Sequence, residues 1–286
     1  MTSRTVELIL VGAILAGTMV AETHKELRFN VGSKSGVSVN NPYGSITVKP
    51  SAGSYVVINA TLYSDKVEID SSQSGNLVVI QSHLLTGATA DTGRADYEIM
   101  VPADASVTLH SNTGPLRAEK LHGDMNFEGA AAIVEVRDIN NAHLHVRTLS
   151  GPVTLTNVQE GHVEIDSLSG AITLDRVTGP LVQVISTSGN INYTGDFGNS
   201  GQYRLTSHSG DIEATVPDYT SADVSAHSVK GEVHDDVHLQ PKNHTPYLFE
   251  KGSAFVGTMG RAAVSSTVVL RSFSGKIHLR KRSAKQ

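Results

Sequence analysis

The amino-acid sequence predicts an all-β protein, a single-stranded β-helix-like solenoid with rungs of about 19–21 residues. Three observations predict it. A Ser-Gly motif recurs at nearly constant spacing through the second half of the chain, apolar residues alternate with polar ones on both sides of the glycine, and no helical periodicity appears beyond the N-terminal segment. Repeats of this kind cannot bury an apolar face alone, so they stack on one another and share a continuous core.

The first 21 residues are predicted to be a signal peptide. Arg4 precedes an apolar run from Leu8 to Ala21, which has the length of a secretory hydrophobic region and is short for a membrane span. Cleavage is predicted after Ala21, and retention as an uncleaved anchor is the alternative. The protein is therefore expected to be exported, with the periplasm, the cell surface and the medium all open as destinations.

Residues 22–106 are less regular than the rest. They contain Pro42, Pro50 and Pro102, and Gly44 and Gly75 resemble degenerate copies of the repeat glycine. The end of a solenoid is an open sheet edge that has to be covered. We therefore expect this segment to form N-terminal capping and degenerate β repeats.

Residues 107–282 carry the regular repeats, which align on a column of glycines, with Ala132 in the glycine position of one rung. This column contains Gly114, Gly151, Gly170, Gly189, Gly210, Gly231 and Gly275. Apolar residues stand two and four positions after the glycine and five and seven before it, so each repeat should hold two short strands with inward apolar side chains. The glycine is expected to permit a tight corner, where φ can be positive.

A second column, three residues before the glycine, carries small hydroxyl side chains and has a gap at Gly129. It contains Ser111, Thr148, Ser167, Ser186, Ser207, Ser228 and Ser272. By strand parity the column faces inward, where hydroxyls can hydrogen-bond along the stack or to the corner backbone. No His and Asp recur at fixed offsets to activate these hydroxyls, so a row of nucleophiles is not predicted.

Residues 235–262 break the period and are expected to form a long loop or altered coil, and residues 283–286 a tail. The break begins at His234-Asp235-Asp236-Val237-His238. If this segment is a strand, His234, Asp236 and His238 share a face and form a candidate site for a divalent metal. A solvated polar turn is the alternative, and no cofactor is predicted.

Composition narrows the possible functions. Lys+Arg of 23 against Asp+Glu of 28 gives a net charge of −5, and only the last few residues are basic as a group, so nucleic-acid binding is not expected. The chain has no Cys, which excludes disulfides, thiolate nucleophiles and lipid attachment to cysteine.

An enzyme on this scaffold is the main alternative, because parallel β-helices host polysaccharide-processing enzymes with clustered carboxylates. Here Asp166 and Asp175 are predicted on different strands of one rung, with apolar residues between them. No catalytic residue is therefore predicted. On the outward columns, Arg147 should lie beside Asp166 and His145 beside Glu164 in adjacent rungs, where opposite charges help to set the register.

Several stretches follow one another in a specific order. They are Tyr97-Glu98-Ile99-Met100-Val101-Pro102, then Val107, Leu109 and Ser111-Asn112-Thr113-Gly114, then Ile212-Glu213-Ala214-Thr215-Val216-Pro217, and finally Ser272-Phe273-Ser274-Gly275-Lys276-Ile277. In these stretches the chain resembles the bacterial "putative adhesin" domain family of unknown function, over roughly residues 30–282. The resemblance implies a β-helix-like solenoid in exported or envelope-associated bacterial proteins. It transfers no catalytic residue, because the family has none established.

The expected function is therefore that of a non-enzymatic cell-envelope or surface β-solenoid with an adhesin-like binding or scaffold role. An envelope protein or a glycan is the expected partner, and contact with a membrane is expected only through an uncleaved leader. The alternatives are a polysaccharide-processing enzyme and a self-assembling structural envelope protein. The oligomeric state is left open.

Overall fold

The computed structural model describes residues 22–198, 200–237, 239–241, 253–260 and 266–282, none of which is helical. The predicted signal peptide, the predicted tail and part of the predicted 235–262 break lie outside the described residues. In the described part of the chain, no helix is long and apolar enough to cross a membrane.

The strands of the described residues form two long sheets, sheet A with 12 strands and sheet B with 13. Sheet A contains β1 (Thr23–Asn30), β3 (Ile46–Pro50), β4 (Tyr55–Leu62), β7 (Ala95–Val101), β9 (Leu116–Glu119), β11 (Val134–Asn140), β13 (Val153–Gln159), β15 (Ile172–Val177), β17 (Ile191–Thr194), β19 (Ile212–Val216), β21 (Val233–Asp235) and β25 (Ile277–Lys281). Sheet B contains β2 (Gly36–Asn40), β5 (Val67–Ser74), β6 (Leu77–Leu84), β8 (Ser106–Ser111), β10 (Met125–Gly129), β12 (His143–Thr148), β14 (His162–Ser167), β16 (Leu181–Ser186), β18 (Gln202–Ser207), β20 (Ala222–Ser228), β22 (Gln240–Pro241), β23 (Ser253–Met259) and β24 (Ser266–Ser272).

Each rung places one strand in each sheet, and the strands of neighbouring rungs run parallel. The apolar columns lie in register from rung to rung, so that Val146, Ile165 and Val184 are direct neighbours on β12, β14 and β16. These side chains are at most 1% exposed and belong to one continuous core that both sheets enclose. The predicted β-helix-like solenoid is confirmed, and its number of sheets is two.

The order of the rungs along the axis differs from their order in the sequence. The last repeat of the chain is not the last rung, because β24 lies between β18 and β20, and β25 lies between β19 and β21. Ser272 consequently pairs with Ser207 on one side and with Ser228 on the other. The N-terminal end has the same arrangement, since β2 lies between β6 and β8, and β3 between β7 and β9.

Antiparallel strands lie outside the parallel rungs at both ends. At the N-terminal end β4 pairs with β7, β1 with β4, and β5 with β6. At the C-terminal end β23 pairs with β20, and β22 with β23. Gly75 lies in the turn between β5 and β6, so its expected place in the repeat column is wrong. Gly44 does occupy a corner, with φ of 106°.

Glycine is required at the corners because the backbones of neighbouring rungs pack closely there, and not because the corners need a positive φ. Except for Gly44, positive φ is not found at these corners, so the expectation of left-handed glycines in the regular repeats is wrong. A Cβ placed on Gly170 would overlap the carbonyl oxygen of Gly151 in the neighbouring rung, and a Cβ on Gly189 would overlap that of Gly170. Glycine is therefore the residue that lets consecutive corners stack at strand spacing.

The two serines of the Ser-x-Ser-Gly corner have separate roles. The first hydroxyl is buried and accepts the N–H of the corner glycine at 2.8 to 3.1 Å, as Ser186 does for Gly189. It closes the corner within its own rung. The hydroxyl of the second serine donates to a carbonyl of the preceding rung, as from Ser188 to Leu168 at 3.2 Å. The second role was not predicted from the sequence.

In one rung, both the serine column and the glycine column depart from the repeat pattern, and the two departures compensate each other. In the rung of β10 and β11, Gly129 stands in the serine position and Ala132 in the glycine position. A Cβ on Gly129 would approach the Cβ of Ala132 to 2.8 Å, which is closer than such atoms approach in real structures. The methyl group of Ala132 therefore takes space next to the missing serine side chain, which explains why the two replacements occur together.

The Asp96 carboxylate holds neighbouring segments of the N-terminal end of the solenoid together by hydrogen bonds. It accepts the N–H of Ser45 at 2.7 Å, the hydroxyl of Tyr63 at 2.9 Å and the guanidinium of Arg94 at 2.6 Å. Burial acts to raise the pKa of Asp96, but these hydrogen bonds outweigh it and hold the pKa below its ordinary value. The charged form of Asp96 therefore stabilises the folded state.

We expect Asp96→Asn to lower the free energy of unfolding by about 1–3 kcal/mol at neutral pH, since hydrogen bonds to a charged group are lost. Because the folded pKa is depressed, this stabilisation is present above the unfolded pKa of about 3.9 and is lost as the pH falls through the folded value. The difference in melting temperature between wild type and variant should thus shrink below about pH 4. The control is Asp70→Asn, which removes a carboxylate 63% exposed and should change little. A difference that is constant with pH would contradict the role of the Asp96 charge.

Candidate binding face

The residue between the two serines of each corner points to solvent and forms a line along the edge of sheet B. Leu149 is 58% exposed and Leu168 is 51% exposed, and Ile185 on the neighbouring strand is 44% exposed. Backbone hydrogen bonds from Ser150 to Ala130 and from Ser169 to Leu149 join consecutive members of the line at 2.8 and 2.9 Å. Leu149, Leu168 and Ile185 together are named the aliphatic ridge.

A row of charged side chains runs beside the aliphatic ridge on the outer surface of sheet B. The row comprises His110, Glu128, Arg147 and Asp166, in the column four residues before the corner. His110 Nδ1 lies 3.7 Å from Glu128 Oε2, and Arg147 Nε lies 4.0 Å from Asp166 Oδ2. Row and ridge enclose a shallow groove with a volume of about 540 Å³. Its lining therefore combines exposed aliphatic carbon with alternating charge.

A second groove of about 500 Å³ lies at the other end of the same strands and is rich in histidine. His143 and His162 are neighbours on β12 and β14, with ring centroids 5.1 Å apart. Each has a carboxylate partner, Asp124 for His143 at 3.7 Å and Glu164 for His162 at 3.3 Å. The two grooves make the outer surface of sheet B, from β8 to β16, the candidate binding face.

The neighbours predicted across adjacent rungs are confirmed by the register of β12 and β14, which places Arg147 opposite Asp166 and His145 opposite Glu164. The ion pairs are distributed differently from this register. His145 Nε2 lies 3.6 Å from Asp166 Oδ2, so Asp166 is the ion-pair partner of both His145 and Arg147. Glu164 pairs instead with His162 on its own strand. Such half-exposed pairs stabilise a protein by less than about 1 kcal/mol each.

The structure gives His234 and Asp236 of the candidate metal site different partners, with His278 near both of them. His234 Nε2 lies 3.1 Å from Glu232 Oε2, whereas Asp236 Oδ2 lies 2.7 Å from His278 Nε2 on β25. His238 lies outside the described residues. Strand β21 ends at Asp235, so Asp236 already belongs to a bend. In the described ranges, no three His, Asp or Glu side chains are placed to hold a metal ion.

The most strongly perturbed titratable groups are tyrosines in the interior of the solenoid. Burial raises the pKa of Tyr97 to about 12 and that of Tyr203 to about 12, and it raises the pKa of Tyr193 well above its ordinary value. The Tyr193 hydroxyl donates to the carbonyl of Val177 at 3.0 Å, and its ring stacks on Phe197 at 4.7 Å. These tyrosines are neutral at physiological pH and act in packing.

The candidate binding face was only partly visible in the sequence. The outward charged columns follow from strand parity, and so does the exposure of Ile185. The aliphatic ridge was missed because Leu149 and Leu168 lie in the corner, where the alternation of a strand no longer applies. A signal was present, since an apolar residue between two serines at a solvated corner has no partner within its own rung.

The fold and the repeated corner define the class of the protein, a parallel two-sheet β-solenoid with antiparallel strands at both ends. Residues 45–280 match the family described as Toastrack DUF4097, and the chain belongs to this family. The resemblance to the "putative adhesin" family drawn from the sequence is confirmed. No curated protein is significantly similar to the chain.

Two solved structures are similar to the chain. One is described as a putative adhesin from Bacteroides fragilis NCTC 9343, with 10% identity and a TM-score of 0.50 over 92% of this chain and 100% of that chain. The other is described as a putative cell adhesion protein from Clostridium sporogenes ATCC 15579, with 12% identity and a TM-score of 0.28 over 91% of this chain and 100% of that chain. At this identity, the first structure supports the shared fold.

Proposed function

We propose that the protein is an exported, non-catalytic component of the bacterial cell envelope that binds another envelope protein through the outer face of sheet B. The observation that carries the proposal is the aliphatic ridge beside the row of alternating charge. Leu149, Leu168 and Ile185 expose apolar side chains on three consecutive rungs, and grouped apolar residues rimmed by polar ones mark interaction surfaces.

The chemistry of the face favours a protein partner over a glycan. Protein interfaces combine an apolar centre with a polar rim, and the ridge and the charged row provide both on a surface that the solenoid holds rigid. Saccharides are usually held against aromatic rings, and no Tyr or Phe among the described residues lines the groove beside the ridge. The alternating signs of Glu128, Arg147 and Asp166 would fix the register of a partner with complementary charges.

The polysaccharide-processing alternative has less support. Glycoside hydrolysis needs two carboxyl groups that face one cavity, with one of them protonated at working pH. The carboxylates of the binding face are instead spread along the strands and paired with basic residues, as Asp166 is with Arg147 at 4.0 Å. Export rests on the predicted leader, and its removal can be measured directly by N-terminal sequencing of the mature protein.

The test compares two triple variants that add the same charge to opposite faces. Leu149→Asp, Leu168→Asp and Ile185→Asp alter the ridge, whereas Thr154→Asp, Thr173→Asp and Asn192→Asp alter outward positions of sheet A that neighbour one another on β13, β15 and β17. The probe is the detergent-solubilised envelope protein fraction of the producing bacterium.

We expect the wild-type protein and the sheet A variant to capture the same envelope protein. Once that protein is purified, the ridge variant should bind it at least about tenfold more weakly, because apolar residues at the centre of an interface carry most of its binding energy. Equal binding by both variants would contradict the proposed face. Release of reducing sugar ends from envelope glycans in the same samples would contradict the non-catalytic role.

A further inference from the structure

A separate cleft of about 490 Å³ lies at the C-terminal end of the solenoid, at the corner that leads from sheet A to sheet B. Its walls are the turn formed by residues 217–220, the residue Gln240, the end of β23 at Thr258 and Met259, and the end of β25 at Lys281. This volume is in the range of about 300–1,000 Å³ that is common for small-molecule sites. None of its residues belongs to the candidate binding face.

The cleft is held in shape by contacts behind its walls. The N–H of Thr220 donates to the carbonyl of Pro217 at 3.2 Å and closes the turn, and the Thr220 hydroxyl donates to Asp196 at 2.9 Å. Gly260 has φ of 79°, and a Cβ at this position would clash with the backbone of Thr220 and Ser221. A turn fixed in this way can present side chains to a ligand at little entropic cost.

The lining combines one exposed aromatic ring with neutral or neutralised polar groups. Tyr219 is 76% exposed, the largest value among the described large apolar side chains that face solvent. Asp218 Oδ1 lies 3.1 Å from Lys281 Nζ, so the two charges compensate each other. The amide of Gln240 and the hydroxyl of Thr258 add donors and acceptors without charge.

The side chains that line the cleft favour one class of ligand over the others. An anion would require a cation without a partner, and Lys281, the basic residue among the described residues that line the cleft, is paired with Asp218. A divalent cation would require several oxygen ligands, and Asp218 is the single carboxylate among the described residues that line the cleft. A saccharide matches both features, because its C–H face packs on an aromatic ring while its hydroxyl groups bond to carboxylate, amide and ammonium groups.

We propose that this cleft is a binding site for a neutral saccharide of one or two hexose units, with Tyr219 as the stacking platform. The site is distinct in place and in ligand class from the protein-binding face of sheet B. The two proposals therefore stand or fall separately.

The experiment uses the purified mature protein and a panel of maltose, cellobiose, lactose and N,N′-diacetylchitobiose, with digalacturonate as the anionic comparison. Binding is detected by saturation-transfer NMR and measured by calorimetry. We expect at least one neutral disaccharide to bind, Tyr219→Ala to weaken it at least about tenfold, and Tyr219→Phe, which keeps the ring, to weaken it less than about threefold.

The controls separate this site from the rest of the molecule. Tyr55→Ala removes a tyrosine at the N-terminal end that stacks with Arg28, and the triple ridge variant removes the proposed protein-binding surface. Both should bind the saccharide with wild-type affinity. The proposal is overturned if none of the neutral disaccharides binds, if only digalacturonate binds, or if Tyr219→Ala retains the wild-type affinity.

Discussion

Gly170→Ala is expected to lower the free energy of unfolding by about 3 kcal/mol or more, although it adds a single methyl group to the buried corner. The added Cβ would overlap the carbonyl oxygen and carbon of Gly151 in the preceding rung, and both are backbone atoms that cannot move independently. The rungs must then separate locally, which strains the hydrogen bonds that join β14 to β12. For a chain of this size the melting temperature should fall by roughly 6–12 °C.

The matched control is the exchange that the chain already contains. At Ala132 the glycine position carries a methyl group, and the facing serine position is Gly129. Adding Ser167→Gly to Gly170→Ala copies this arrangement and should recover part of the lost melting temperature in a thermal unfolding experiment. If Gly170→Ala alone unfolds like the wild type, the corner glycines are not required by close packing.

Leu270→Asp is expected to detach the whole C-terminal end of the solenoid. Leu270 is fully buried on β24, between Leu205 of β18 and Ala226 of β20. A charge without a partner at this position costs several kcal/mol, enough to expel the rung of β24 and β25. Because β20 pairs with β24 and not with β18, residues 222–237, 239–241 and 253–260 should lose their protection together with the expelled rung.

Limited proteolysis followed by mass spectrometry measures this effect. The variant should be cut in the turn of residues 217–220 and leave a resistant fragment that ends near β19, since each rung of a solenoid depends mainly on its neighbours. Thr267→Asp, an outward position of the same strand, should remain as resistant as the wild type. If residues 222–235 stay protected in Leu270→Asp, the rungs stack in sequence order and the inserted position of β24 is contradicted.

The rung architecture could be predicted from the sequence because its determinants are local. Alternation around each corner assigns residues such as Ile172 and Leu174 to the interior, and both are fully buried. The reason for the corner glycines was predicted incorrectly, since the contact between Gly170 and Gly151 exists only after the rungs have stacked. The local sequence indicates that a turn is present, but the close approach of two backbones arises only in the assembled fold.

The order of the rungs could not be predicted, because the repeats carry the same types of residue in the corner and apolar columns, apart from the exchange at Gly129 and Ala132. Gly231 follows Gly210 by 21 residues, the same spacing that separates Gly189 from Gly210, so the sequence favours direct stacking of these rungs. The structure instead places Gly275 between them, with its own corner in contact with Gly210. Because the columns match, one rung can pack against any other. Which rungs become neighbours depends on the segments that connect them and on the strands at the ends of the solenoid.

The candidate binding face was predictable in its charges and not in its apolar part. Parity placed Arg147 and Asp166 outside, and the structure agrees. Leu149 and Leu168 were not identified as exposed residues. The alternation of a strand does not assign a corner residue to the inside or the outside, and its exposure depends on how adjacent corners stack. The cleft at Tyr219 brings together segments that are far apart in the sequence, so only the folded chain reveals it.

Site-specific photo-crosslinking in the producing cells tests whether the outer face of sheet B contacts an envelope protein. A photoreactive residue is placed at Thr187, beside the ridge on sheet B, or at Asn192, which is exposed on sheet A only five positions later. We expect a discrete crosslinked protein from position 187 that is absent from position 192. Equal crosslinking from both positions, or none from position 187, would contradict it.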